Sequence, residues 1–214
     1  MTFLWVFCAG FWSMERMNAF MFMLSRPIVV AFLMGAATGR LGWCIIGGIF
    51  FEIIGLNDIP VGTRIPVDDT FGAFAYCFII AYTGHTLSLE IALLALIASF
   101  LFMLPISLSA ILVRWLNKLL YRSYMGKGQE GHLIFWGQAL SFMRGVLFYS
   151  LGTLCAFFLF EATYNIMTPK TVTMSTLLVL GSLISGYFLG FFHTKLPAKF
   201  ALFSLGGVLS WLLI

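Results

Sequence analysis

The chain has 214 residues, of which 61% are hydrophobic and only 9% charged, where a soluble domain carries about a quarter charged residues. That composition excludes a soluble globular enzyme, and a net charge of only +4, gathered in particular segments, excludes nucleic-acid binding. What remains is an all-α polytopic membrane protein, because lipid forces backbone polar groups to pair within helices and the alternation of a membrane β-barrel is missing.

Apolar runs fall at about 1–13, 17–37, 41–56, 70–84, 88–113, 133–162, 171–192 and 197–214. Crossing a hydrocarbon core takes about 20 apolar residues in a helix, so several runs are short. The expectation is a single integral membrane domain over 1–214 with about six to eight membrane segments, some of them broken or re-entrant.

The first run, MTFLWVFCAGFW, has neither a basic start nor a small-residue cleavage site and reads as a retained membrane segment. Cys8, Cys44, Cys77 and Cys155 stand singly in apolar stretches without metal or redox spacing, and read as buried spectators. Ser25-Arg26-Pro27 interrupts the second run; a residue before proline is biased away from helix, so the run kinks or restarts here. The third run carries Gly42, Gly47, Gly48 and Gly55, the marks either of a broken or re-entrant helix or of close helix packing.

Glu52 lies in that run between Phe51 and Ile53. A carboxylate in lipid costs about 2.5–3.5 kcal/mol on insertion scales, so it faces protein or a wet cavity. It marks a ligand site or pathway, or else forms a structural ion pair with Arg26 or Arg144.

The stretch GLNDIPVGTRIPVDD, residues 55–69, holds Asn57, Asp58, Arg64, Asp68 and Asp69 among Gly55, Pro60, Gly62 and Pro66, which break regular helix. It reads as an irregular connection. Asp68-Asp69-Thr70 ahead of an apolar run also reads as a helix start, where aspartate accepts backbone N–H groups. Carboxylates and amides clustered in this way suit a polyol such as a sugar.

Further on, Glu90 reads as an N-terminal helix charge. Arg114, Lys118, Arg122 and Lys127 make 114–132 a basic loop, placed in the cytoplasm by the positive-inside rule; Lys195 and Lys199 fall on the same side. A solvated anchor explains this loop, and docking of a cytoplasmic partner is the alternative. Arg144, isolated in LSFMRGVLF, needs a partner or a water path. Arg26, Arg64 and Arg144 are candidates for structural ion pairing. His85, His132 and His193 fall at loop or interface positions without metal-ligand spacing, and neither a phosphate-loop motif nor H-E-x-x-H is present. No metal, cofactor or catalytic residue is expected.

Residues 14–74, from MERMNAF to DDTFGAF, resemble the N-terminal half of the IIC subunits of mannose/fructose/sorbose-type sugar phosphotransferase systems, in a short form. The resemblance rests on Arg26-Pro27 opening a Gly-punctuated helix, a Gly-rich run ending in Glu52, then Val61-Gly62 and Pro66 followed by Asp68-Asp69, in that order. Met143-Arg144 is similar to a later Met-Arg of the family. The resemblance implies a non-catalytic, multi-pass subunit of the bacterial inner membrane that pairs with a IID subunit as an oligomer. It implies that cytoplasmic IIA and IIB proteins relay phosphate to a hexose as it enters, and that an elevator-like shift moves the sugar. Glu52 and Asp68 match acidic family positions near the sugar path and Arg26 matches the Arg-Pro arginine; Asn57, Asp58 and Asp69 join the substrate-binding set by proximity. The sequence departs from the family where Arg40 follows Gly39 and where Val67 replaces a second proline, and it ends early.

Two other readings carry different predictions. A membrane scaffold or regulator derived from such a subunit would hold cytoplasmic phosphotransferase proteins without transporting. An unrelated ion-coupled carrier using Glu52 for protons would depend on a pH gradient.

Overall fold

The computed structural model describes residues 3–17, 22–56, 66–124 and 130–166. Among these there is no strand. The helices are α1 (Phe3–Met17), α2 (Pro27–Thr38), α3 (Leu41–Leu56), α4 (Asp69–Tyr82), α5 (Leu89–Tyr124) and α6 (Glu130–Arg144), which passes through a π turn (Gly145–Tyr149) into α7 (Ser150–Ile166). Residues 171–192 and 197–214, with Lys195, Lys199 and His193, lie outside the described residues.

Arg26 is extended (φ −64°, ψ 135°) and Pro27 opens α2, so the second run restarts where proline requires it. Gly39 ends α2 in the left-handed region (φ +69°), which glycine enters without steric cost, and the chain turns back at once into α3. The two helices form an antiparallel hairpin: Gly35 lies by Leu41 and Cys44, while Gly48 lies by Ile28 and Ala31. α3 is one continuous helix, which corrects the expectation of a break inside 41–56; its glycines serve close approach. At 1.5 Å per residue, α2, α3 and α4 are about 18, 24 and 21 Å long, each short of a hydrocarbon core of about 30 Å. The hairpin therefore has the dimensions of a re-entrant pair, and among the described residues its outer side leaves Phe32, Ile46, Ile49 and Ile53 exposed.

α4 is the axis of the molecule. Every residue from Asp69 to Ile80 is buried, as expected for a helix apolar all round, and it packs on α2, α3, α5 and α7. Around it α5 and the α6–α7 rod are long and apolar enough to span a membrane. α5 buries Leu94, Ala98, Met103 and Ile106 against the core and leaves Leu101, Leu104, Leu108 and Ile111 exposed, the pattern of a helix with one face to lipid.

α5 also corrects a boundary. The stretch read as a basic loop over 114–132 is helical to Tyr124 and again from Glu130. Arg114, Lys118 and Arg122 recur every four residues, and the helix continues past its apolar section with these cations on its exposed side. Cys44 and Cys77 are buried as expected and Cys8 partly so, whereas Cys155 is exposed among the outward apolar side chains of α7.

Candidate functional site

The segment after α3 returns to the described residues at Pro66, and Asp68 caps α4: its Oδ1 accepts from Phe71 N at 3.2 Å. The helix-start reading of Asp68-Asp69-Thr70 therefore holds, but the cap is only one of Asp68's contacts. Oδ1 also accepts from Tyr149 Oη at 2.6 Å and lies 3.5 Å from Arg16 Nε. Oδ2 accepts from Arg144 Nη2 at 2.5 Å, and the Asp68 amide donates to Ser107 Oγ at 2.8 Å.

Arg144 is almost wholly enclosed, and each nitrogen of its guanidinium has a partner. Nε donates to Ser109 Oγ at 2.6 Å, Nη1 to Ser13 Oγ at 3.2 Å, and Nη2 to Ile106 O at 3.2 Å besides Asp68. Ser107 and Ser109 of α5 lie just beyond Pro105, which supplies no N–H and so leaves the helix ladder open at its own turn. Ser107 Oγ donates to Met103 O and Ser109 Oγ to Ile106 O, occupying carbonyls of that stretch.

The π turn explains how Arg144 and Tyr149 both reach Asp68. Residues five apart in an α-helix point about 140° away from each other. A π turn bonds i to i+5 and brings such a pair towards one face, and single π turns of this kind recur at functional sites. Gly145 lets the turn press on α1, where a Cβ would overlap Ala9 O and Ser13.

Asp69 forms the second half of the cluster. Arg16 Nη1 donates to Asp69 Oδ1 and, at 2.8 Å, to Thr70 Oγ1, while Nη2 donates to Val67 O at 2.6 Å. Two arginines thus meet two aspartates; Asp68, Asp69 and Arg144 are buried, Arg16 keeps 19% of its side chain exposed, and the quartet has no net charge. Such groups are costly to enclose unless each hydrogen-bonding position is filled. Arg16 was not legible as a site residue, and neither was Glu15. The Glu15 carboxylate accepts from Leu24 N at 2.9 Å and from Ser25 N, fixing the approach to α2.

Glu52 is different. Its Oε1 lies 3.4 Å from Arg26 Nη1 and its Oε2 accepts from Ile28 N at 3.3 Å, yet the carboxylate side chain stays 20% exposed and the arginine 45%. The ion pair with Arg26 weighed from sequence is therefore formed, and it keeps an open side. One turn further along α3, Gly55 abuts Asp69, whose carboxylate a Cβ would overlap. Thr70 Oγ1 donates to Ser25 O at 2.7 Å, next to Arg26. The Glu52–Arg26 pair and the arginine–aspartate quartet accordingly share a wall built from α3, the start of α4 and the turn before α2. Of the other sequence candidates, Asn57, Asp58 and Arg64 lie outside the described residues.

Other isolated polar groups have local roles. Arg40 Nη1 donates to Ile80 O near the end of α4, a favourable place for a cation. His85 pairs with Glu161 at 3.2 Å between the α4–α5 loop and α7, and Glu90 stands in the first turn of α5 as expected.

A family model described as the sorbose-specific IIC component of the PTS system matches residues 1–195. No curated protein is matched by the chain.

Proposed function

Because the chain belongs to the family of sorbose-specific IIC components, membrane transport subunits of the phosphotransferase system, we propose that it binds and translocates a hexose together with a IID subunit. In this reading it sits as a multi-pass oligomer in the bacterial inner membrane with its basic α5 end in the cytoplasm. IIA and IIB proteins there deliver the phosphoryl group, and the chain itself performs no chemistry.

The observation that carries the site is the contrast between the two acidic positions. Glu52 has an open side and Arg26 beside it, so the pair offers both acceptors and donors to sugar hydroxyls. Asp68 is buried with its oxygens engaged by Arg144, Tyr149, Arg16 and Phe71 N, and Asp69 is held by Arg16. Glu52 would meet the sugar first. Asp68 and Asp69 would anchor the end of the 57–68 connection, from which Asn57 and Asp58 complete the substrate-binding set.

The test is phosphorylation-coupled uptake in cells carrying the partner subunits. A hydrogen bond to a charged group contributes about 1.5–3 kcal/mol, so Glu52→Gln should raise the half-saturating sugar concentration by about ten- to a hundredfold. If Glu52→Gln and Asp68→Asn both leave uptake unchanged, the assignment is wrong. Recruitment of IIB to membranes with no uptake under any condition would favour the scaffold reading instead.

A further inference from the structure

The turn that leads into α2 is held through its backbone by two other helices. Met23 takes the left-handed conformation (φ +62°), uncommon for a residue with a side chain, and its carbonyl accepts from Arg26 N at 3.2 Å. The N–H groups of the two central residues of such a turn have no backbone acceptor within it, and each needs a partner from elsewhere. Here both meet one carboxylate of α1: Leu24 N donates to Glu15 Oε1 at 2.9 Å and Ser25 N donates to Glu15 Oε2. From the side of α4, Thr70 Oγ1 donates to the Ser25 carbonyl at 2.7 Å. The Arg26 carbonyl then accepts from Val29 N and Val30 N at 2.9 and 3.0 Å, which starts α2.

Glu15 is buried, and a carboxylate is a costly group to enclose where packing alone is needed. What it fixes is the backbone from which Arg26 projects. The Arg26 guanidinium lies 3.4 Å from Glu52 Oε1, and Ile28 N, two residues on, donates to Oε2 at 3.3 Å. Both side chains of the pair keep solvent access, 45% for the arginine and 20% for the glutamate. The place of the pair is therefore set by the backbone of 24–28 more than by enclosure of its side chains.

We propose that Glu15 is a positioning residue for sugar binding: its carboxylate, through the Leu24 and Ser25 amides, holds Arg26 where the Arg26–Glu52 pair meets the sugar. The inference rests on the sugar reading of that pair. Glu15 touches no sugar, and its loss lets the turn shift, so that affinity falls while folded chains keep working.

A double-mutant cycle tests it, on phosphorylation-coupled uptake in cells carrying the partner subunits, with rates divided by folded chain measured by size exclusion. Glu15→Gln keeps one acceptor and loses one charge-assisted hydrogen bond. It should raise the half-saturating sugar concentration about tenfold and leave the maximal rate per folded chain unchanged. In an Arg26→Gln background the same change should add less than about twofold, because the side chain through which Glu15 acts is gone. Glu15→Asp keeps the charge and draws it back by one methylene; it should show the same dependence on Arg26, and it carries the test if the amide variant yields no folded chain. An unchanged half-saturating concentration in both Glu15 variants, or equal effects with and without Arg26, would make Glu15 a structural residue only and overturn the proposal while the sugar reading stands. Wild-type uptake by Arg26→Gln alone would overturn both.

Discussion

Arg144 Nη2 lies 2.5 Å from Asp68 Oδ2, joining residues 76 apart in sequence and tying the α6–α7 rod to the cap of α4. The contact lies at Ile106–Ser109 of α5, within that helix's apolar length. In such surroundings the pair matters less for what it adds than for what its loss leaves behind.

Removing one partner of a buried ion pair costs about 3–5 kcal/mol, because the other charge stays enclosed without compensation. Arg144→Gln should therefore lower the melting temperature of the detergent-purified chain sharply or abolish a monodisperse peak on size exclusion. Arg144→Lys should recover little, since an ammonium cannot replace the fork that also holds Ser109, Ser13 and Ile106 O. Adding Asp68→Asn to Arg144→Gln should restore part of the loss. A double variant no more stable than Arg144→Gln would mean that Asp68 is not the charge left unpaired by that change.

Tyr149 allows a milder test of the same carboxylate. Its hydroxyl donates to Asp68 at 2.6 Å, while its ring packs edge-on to Phe71 with centroids 5.4 Å apart. Tyr149→Phe keeps the ring and removes the donor, so it should cost about 1.5–3 kcal/mol without preventing folding. Thermal unfolding followed in parallel with uptake would separate this loss from any effect on transport. A melting temperature equal to the wild type would show that the hydroxyl contributes nothing to holding Asp68.

Part of this arrangement is legible in the sequence, and the legible part is local. Pro27 fixes where α2 begins, Asp68 reads as a cap from its place ahead of an apolar run, and Arg144 declares the need for a partner by standing alone among apolar residues. Arg16 and Glu15 carry no such signal. They are neighbours of opposite charge, yet Glu15 turns to the amides of Leu24 and Ser25 while Arg16 crosses 53 residues to Asp69. The π turn is silent for another reason: GVLFY is apolar throughout, and the same composition suits an α turn. The basic stretch after Val113 was readable and misread, because cations spaced by four mark a helix face as well as a loop.

Two glycines of α3 should separate packing from propensity. At Gly55 a Cβ would overlap the Asp69 carboxylate, a group already fixed by Arg16 and unable to withdraw cheaply. At Gly42 a Cβ meets open space. Gly42→Ala should be neutral or raise stability by up to about 1 kcal/mol through helix propensity. Gly55→Ala should destabilise by about 1–3 kcal/mol, as overpacking does, and should also reduce uptake because it displaces the start of α4. Equal melting temperatures for the two variants would mean that α3 and α4 do not meet at this point.

The last prediction separates stability from transport at Glu52. Its pair with Arg26 is long, at 3.4 Å, and partly open to solvent, and exposed ion pairs contribute about 0–1 kcal/mol. Glu52→Gln preserves the shape of the side chain and an oxygen for Ile28 N. The variant should fold and melt close to the wild type while sugar uptake falls, the reverse of Arg144→Gln, in which both should fall together. The check is a melting curve and an uptake curve on the same preparation of each variant. If Glu52→Gln lost uptake only in proportion to lost folded protein, Glu52 would belong with the arginine–aspartate quartet as a structural group and the open side of the pair would have no ligand to meet.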